Sequence, residues 1–203
     1  MKSSPGTMQK EDKNQMSDYS MNKEDFCYAC GNFPTGVTVT TVISKDGMPH
    51  GVTVSSFTSV SLDPPLVLVC IDHRSQIQDD LCVDQCFGVN ILNQEQQELS
   101  RRFARNWADR FAGVEWYSGR AGVPVLNDAT AVFECQIVTK VPAGDHVVIV
   151  GRVLYTSTSE RLPLLYLRRS YGTEAYTSAK AQEQIAIVQA QGGTGRIPSE
   201  TAL

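Results

Sequence analysis

The chain has 203 residues, 41% of them apolar and 20% charged, which suits one globular domain with a full-sized core. Its formal net charge of −4 argues against a nucleic-acid partner, whose phosphates need a basic face. No apolar run approaches the ~20 residues that span a bilayer, and the N-terminus has no hydrophobic signal core; the expectation is a cytoplasmic protein away from membranes.

Residues 1–21 are polar and aperiodic and read as a disordered arm. Asn22 can then N-cap a short helix through Phe26, Ala29 and Cys30, with Gly31 as its stop. From Gly36 the period becomes two, with Val37, Val39, Thr41 and Ile43 alternating with threonines and Val42. Lys45-Asp46-Gly47 supplies a turn into a second strand running from Gly51 to Phe57. Asp63-Pro64-Pro65 breaks the chain before the continuous apolar run from Leu66 to Ile71, suited to a buried strand. Ser75 and Gln78 are spaced as a capping box for a helix carrying Ile77 and Leu81.

A further strand runs from Phe87 to Leu92. Asn93 and Gln96 repeat the box ahead of a helix with Leu99 and Phe103 inward and Glu98 paired with Arg102. The stretch from Trp107 to Asn127 is loop-rich, and two long strands follow over residues 129–139 and 146–156. Between them Gly144 supplies a tight turn, Asp145 caps it, and His146 stands at the lip of the second strand. After Thr173, residues 174–190 read as helical and 192–203 as frayed, so the organisation is an arm, one domain over residues 22–173 and an extension over 174–203. The fold class is mainly β with helices in the connections, an antiparallel barrel of six or more strands, closed or half-closed.

The six cysteines are expected to be packed thiols: Cys27 and Cys30 form a CxxC, but the second half of a zinc site is missing, and no metal is expected. Neither nucleotide-binding glycine motif is present, nor a GxSxG nucleophile. The run Thr53-Val54-Ser55-Ser56-Phe57-Thr58-Ser59-Val60-Ser61 carries hydroxyls suited to the polar edge of a heterocycle or to a phosphate. An exposed strand face would carry the same residues, and His146 fits either a ligand cleft or a half-buried hairpin. Spacing alone leaves both readings open.

Phe33-Pro34-Thr35-Gly36-Val37-Thr38-Val39-Thr40-Thr41 resembles the opening strand of the flavin reductase-like family, the small reductases of two-component flavin monooxygenases. The hydroxyl run continuing into Leu62-Asp63-Pro64-Pro65-Leu66-Val67 resembles that family's flavin loop. Phe87-Gly88-Val89-Asn90-Ile91-Leu92, then Gly144-Asp145-His146 with Gly151-Arg152-Val153, then Pro163-Leu164-Leu165-Tyr166 with Arg168, Arg169 and Tyr171-Gly172, are similar to three further motifs in the same order. The likeness covers residues 24–173.

What the resemblance implies is an FMN-binding split barrel, a homodimer with flavin at the barrel edge, passing hydride from NADH or NADPH to FMN or FAD and feeding a partner monooxygenase. It implies that Ser55, Ser56, Phe57, Thr58 and Ser59 line the flavin, that Thr35 and Gly36 abut it, and that Asn90 serves the ribityl hydroxyls. Flavin phosphate would fall to Arg74 and Ser75, with Arg101 or Arg102 beside Phe103 as the second candidate. His146 would act on the nicotinamide, with Arg168, Arg169 and Tyr171 closing over the dinucleotide. Two alternatives accompany this reading: a flavoprotein that keeps FMN and acts on a small organic substrate, and a flavin-binding module without turnover.

Overall fold

The computed structural model describes residues 21–105 and 109–172; the expected arm up to residue 20, Trp107 and the C-terminal extension lie outside the described residues. The Asn22 side chain accepts the Glu24 N–H and starts helix α1 (Lys23–Gly31), none of whose residues is buried. Strand β1 (Thr35–Gly36) leads to β2 (Thr38–Ile43), which turns through Gly47, at a φ of +77°, into β3 (Pro49–Val54). Then come β4 (Thr58–Leu62), β5 (Pro65–Asp72), β6 (Cys86–Ile91) and helix α2 (Gln97–Ala104). A short pair, β7 (Trp116–Ser118) and β8 (Pro124–Leu126), precedes the long strands β9 (Ala131–Ala143) and β10 (His146–Thr158). The hairpin of β11 (Leu165–Leu167) and β12 (Ser170–Gly172) follows.

Seven strands form one antiparallel sheet in the order β3-β2-β6-β9-β10-β5-β4. Valines and isoleucines from both of its ends share one core: Val42 and Val54 from β2 and β3 meet Val67, Val69 and Ile71 of β5. The sheet has therefore curled on itself, and Ile77 and Leu81 plug the barrel from the connection after β5. A second core, with Val37, Val39, Phe103, Phe111 and Leu126, packs α2 and its following loop against the other side of β2. This is why β2 is buried over residues 38–42 rather than on alternate positions. Two of its three threonines fit that burial because their hydroxyls find acceptors, Thr38 donating to Val54 O and Thr41 to Pro124 O, while the buried Thr40 hydroxyl has no hydrogen-bond partner among the described residues.

The curled sheet does not zip shut. β4 pairs with β5 only as far as Leu68, and Cys70 beyond it is satisfied by one hydroxyl: Ser56 Oγ accepts the Cys70 N–H at 2.8 Å and donates to Cys70 O. One side chain thus stands in for a missing ladder position and leaves a seam between β3 and β5.

Several local expectations change. The Ser75–Gln78 box does not form: the segment is a five-residue 3-10 turn, Ser75 makes no capping bond, and Gln78 donates to Ile71 O instead. The Asn93–Gln96 box does form, each side chain accepting a backbone N–H from the other's turn. Glu98 pairs with Arg101, one residue closer than Arg102, which is drawn to the loop carbonyls of Arg110 and Ala112. Asp145 turns its carboxylate to His146 rather than capping its own turn. Of the six cysteines only Cys135 is buried, while Cys27, Cys30 and Cys82 are exposed, because α1 and the connection near Cys82 lie outside the sheet.

Gly151 on β10 faces the Phe87 ring so closely that an added Cβ would stand 2.6 Å from it and 2.9 Å from Cys135 Cβ. Gly151→Ala is expected to destabilise the protein by about 1–3 kcal/mol through overpacking, read as a lowered midpoint in urea. An unchanged midpoint would mean that this part of the barrel is not tightly packed.

Candidate active site

At the seam lies a cleft of about 230 Å³. One lip is the end of β3 and its continuation, Val52 to Ser56; the other is Cys70, Ile71, Asp72 and Ser75, with His146 beside them. The β3 lip is a free sheet edge. Gly51 O accepts from Arg110 and so points away from β2, and by antiparallel alternation Thr53 carries its N–H and C=O on the same open side. The Ser75 hydroxyl is buried and has no hydrogen-bond partner among the described residues. A buried polar atom left without a partner is costly, and here it lines a cleft that a polar ligand can enter.

His146 begins β10 opposite Asp72 of β5 and Ala143 of β9. It is placed by a two-residue hairpin loop with Gly144 first, at a φ of +64°. Its Nδ1 lies 2.7 Å from the Asp145 carboxylate, which leaves Nε2 as the ring's other polar atom, and the side chain is 42% exposed. The hydrogen bond from His146, reinforced by its charge, holds the Asp145 carboxyl below the usual carboxylate range. Asp72 is held well below that range, chiefly by hydrogen bonds from the Arg74 side chain and backbone N–H. The pairing also partly neutralises Arg74 as a phosphate anchor.

A second cleft of about 220 Å³ adjoins the first: Gly51 and Gln76 line it, next in sequence to Val52 and Ser75 of the seam. It also takes His50, Ile77, Arg110 and Phe111. His50 Nδ1 sits 2.6 Å from the largely buried Asp80 carboxylate, and the Arg110 guanidinium donates to Gly51 O and Arg105 O. Neither His50 nor Arg110 was singled out by sequence reasoning. The signal available for Arg110 was a cation next to Phe111, an apolar residue that returns a loop to the core.

The candidate residues fall into separate groups. Ser55, Ser56, Ser75 and His146 converge on the seam, with Arg74 at its rim. Phe57 packs on Phe133 and the barrel core, while Thr58 and Ser59 are exposed on β4. Asn90 is fully buried, donating to Val39 O and Thr41 Oγ1 and accepting the Leu126 N–H, so its amide is occupied inside the barrel wall. Phe103 is likewise fully buried, and Arg102 pins the loop after α2.

Thr35 and Gly36 pair with β11, on the same small sheet as Tyr171, whose hydroxyl bonds Ser100 of α2. Arg168 and Arg169 form the β11–β12 turn at φ of 49° and 63°, a region that disfavours arginine by about 1 kcal/mol or more per residue. The turn is held by Arg168 N–H on Gly31 O and Arg168 Nε on Asn32 Oδ1.

Residues 30–175 match the model of the flavin reductase like domain. The stachydrine N-demethylase reductase subunit Stc3 of Rhizobium meliloti (strain 1021) is 42% identical over 158 residues, covering 78% of this chain and 68% of that protein. The flavin reductase (NADH) of Kitasatospora aureofaciens is 41% identical over 73% of this chain and 80% of its own length. Against a longer Rhizobium meliloti relative, 41% identical over 180 residues, the chain spans only 58% of the length. Among solved structures, the Streptomyces globisporus NADH:FAD oxidoreductase SgcE6, in complex with NAD and FAD fragments, superposes with a TM-score of 0.71 at 34% identity, covering 75% of this chain and 92% of that one. The curled antiparallel sheet with an open seam is therefore the split barrel of these reductases, and the chain belongs to the flavin reductase-like family.

Proposed function

We propose that the chain is an NAD(P)H:flavin oxidoreductase that reduces FMN or FAD and supplies reduced flavin to a partner monooxygenase. The observation that carries this reading is the seam cleft, where a free strand edge, an unpartnered buried hydroxyl and an imidazole face one space. A flavin ring presents alternating acceptors and a donor along its pyrimidine edge, which the β3 edge and the Ser55 and Ser75 hydroxyls complement. Val52, Val54 and Ile71 supply apolar walls that displace water from a ring lying between them.

Bound together, flavin and nicotinamide supply hydride transfer from nicotinamide C4 to flavin N5. The protein's task is then to hold two rings face to face, which needs shape and hydrogen bonds rather than a nucleophile. His146 at the lip is placed to bond the nicotinamide carboxamide, its ring fixed by Asp145. The adjoining cleft offers the flavin's phosphate tail the Arg110 guanidinium and the His50 imidazole in addition to Arg74 at the rim of the seam. A second copy of the chain is expected against β4, an edge strand that leaves Val60 and Leu62 exposed.

Purified protein given NADH and excess FMN should oxidise NADH at 340 nm in proportion to added flavin; no flavin-dependent oxidation with either NADH or NADPH would refute the assignment. In the same assay His146→Ala should raise KM for the nicotinamide by about 10- to 100-fold with flavin binding largely kept. Equal loss of both would move His146 into the flavin site.

Ser75→Ala separates ligand from fold. Its hydroxyl makes no bond among the described residues, so melting of the ligand-free chain should be unchanged or slightly raised. Flavin affinity should fall by about 3- to 30-fold, measured by fluorescence quenching. Lost stability with unaltered affinity would assign Ser75 to the scaffold.

A further inference from the structure

Away from the seam, a cavity of about 490 Å³ lies between α1 and the β11–β12 turn, lined by Glu24, Asp25, Cys27 and Tyr28 on one side and Arg168 and Arg169 on the other. Cys27 and Cys30 are both exposed free thiols on consecutive turns of α1. Three residues along a helix place their Cα atoms about 5 Å apart, inside the range a disulfide accepts. Cβ atoms at that spacing stand about 5–6 Å apart, whereas a disulfide draws them to about 4 Å. Closing the bond must therefore deform the last turn of α1. That turn has little to resist with, since no residue of α1 is buried. It is also the turn on which the strained arginine hairpin hangs, through Arg168 N–H on Gly31 O and Arg168 Nε on Asn32 Oδ1.

We propose that Cys27 and Cys30 form a peroxide-oxidisable dithiol, and that its closure is transmitted to the Arg168–Arg169 turn through the end of α1. The Cys27 thiolate, which shares the cavity wall with Arg168 and Arg169, attacks one oxygen of hydrogen peroxide and breaks the O–O bond, giving a sulfenic acid and a hydroxide that takes up the proton released by the thiol and leaves as water. The Cys30 thiolate then attacks the Cys27 sulfur and expels hydroxide, which takes the proton that the Cys30 thiol gave up, so two thiols and one peroxide give one disulfide and two waters. The peroxide is the product of reduced flavin meeting dioxygen in solution, and this source rests on the reductase reading above. Cys135 cannot compete, because burial pushes its thiol up to about 12. A reductase whose flavin escapes its oxygenase would thus register the peroxide it causes.

The test uses added hydrogen peroxide on the full-length, pre-reduced protein, so it does not depend on turnover. After alkylation, peptide mass mapping should find Cys27 joined to Cys30 and released by dithiothreitol, with Cys82 serving as the exposed reference thiol. Hydrogen exchange over residues 167–172 should then quicken by about three-fold or more on oxidation, and the Cys27→Ser/Cys30→Ser double variant should show no such change. If both thiols remain alkylatable while Cys82 is oxidised, the site is not a dithiol and the proposal fails. A disulfide that leaves exchange in the hairpin unaltered would overturn the coupling. Flavin-independent oxidation data of this kind stand whether or not NADH is consumed.

Discussion

The Ser56 hydroxyl, accepting the Cys70 N–H and donating to Cys70 O, occupies the place where β4 would otherwise extend its pairing with β5. Had a backbone strand run there, β3 and β5 would approach a closed barrel and no cleft would remain. A side chain satisfies the two backbone groups of one residue and goes no further, so the sheet curls around its core yet stays open along one line. The candidate chemistry gathers on that line: the free β3 edge, the Ser75 hydroxyl, and His146 at the start of β10. A barrel's own unfinished hydrogen bonding is thus offered to a ligand.

Residues at the seam divide into those that build it and those left to bind. Ser56 is committed to Cys70 and Thr53 Oγ1 to Ser100 O, while Asn90, away from the seam, is committed to the barrel wall. Ser75 has no such commitment among the described residues, and His146 keeps one ring nitrogen beyond its contact with Asp145. The ionisable groups at the lip sit in pairs, Arg74 with Asp72 and His146 with Asp145. For hydride transfer between two stacked rings, alignment and water exclusion matter more than a charged catalyst. The arginine turn at the far hairpin is another place where the chain departs from local preference, and it is held there by the end of α1.

Much of this was legible in the sequence. The period-two runs, the Gly47 and Gly144 turns and the apolar run of β5 located the strands, because each rests on short-range backbone preference. Sheet order was not legible, and with it the two-sided burial of β2 and the role of Asn90, since both depend on what packs across from them. The same blindness explains the cysteines: thiol burial is set by where α1 comes to rest, not by its own residues. The Ser75–Gln78 box failed because Ile77 and Leu81 are drawn into the barrel mouth, where a 3-10 turn suffices. The hydroxyl run and His146 were visible as candidates, but only the curled sheet brings Thr53, Ser55 and Ser56 of that run into one cleft with His146, leaving Thr58 and Ser59 outside it. Arg110 and His50 stayed hidden because the strand edge they flank is a tertiary feature.

The claim that the open seam is the flavin site is tested most directly by hydrogen exchange of the intact protein with and without saturating FMN. The account predicts slowed exchange over residues 52–56 and 70–75, the two lips, with the β11–β12 hairpin little affected. Protection confined to residues 164–172, or absent from both lips at saturation, would place the flavin elsewhere and contradict it.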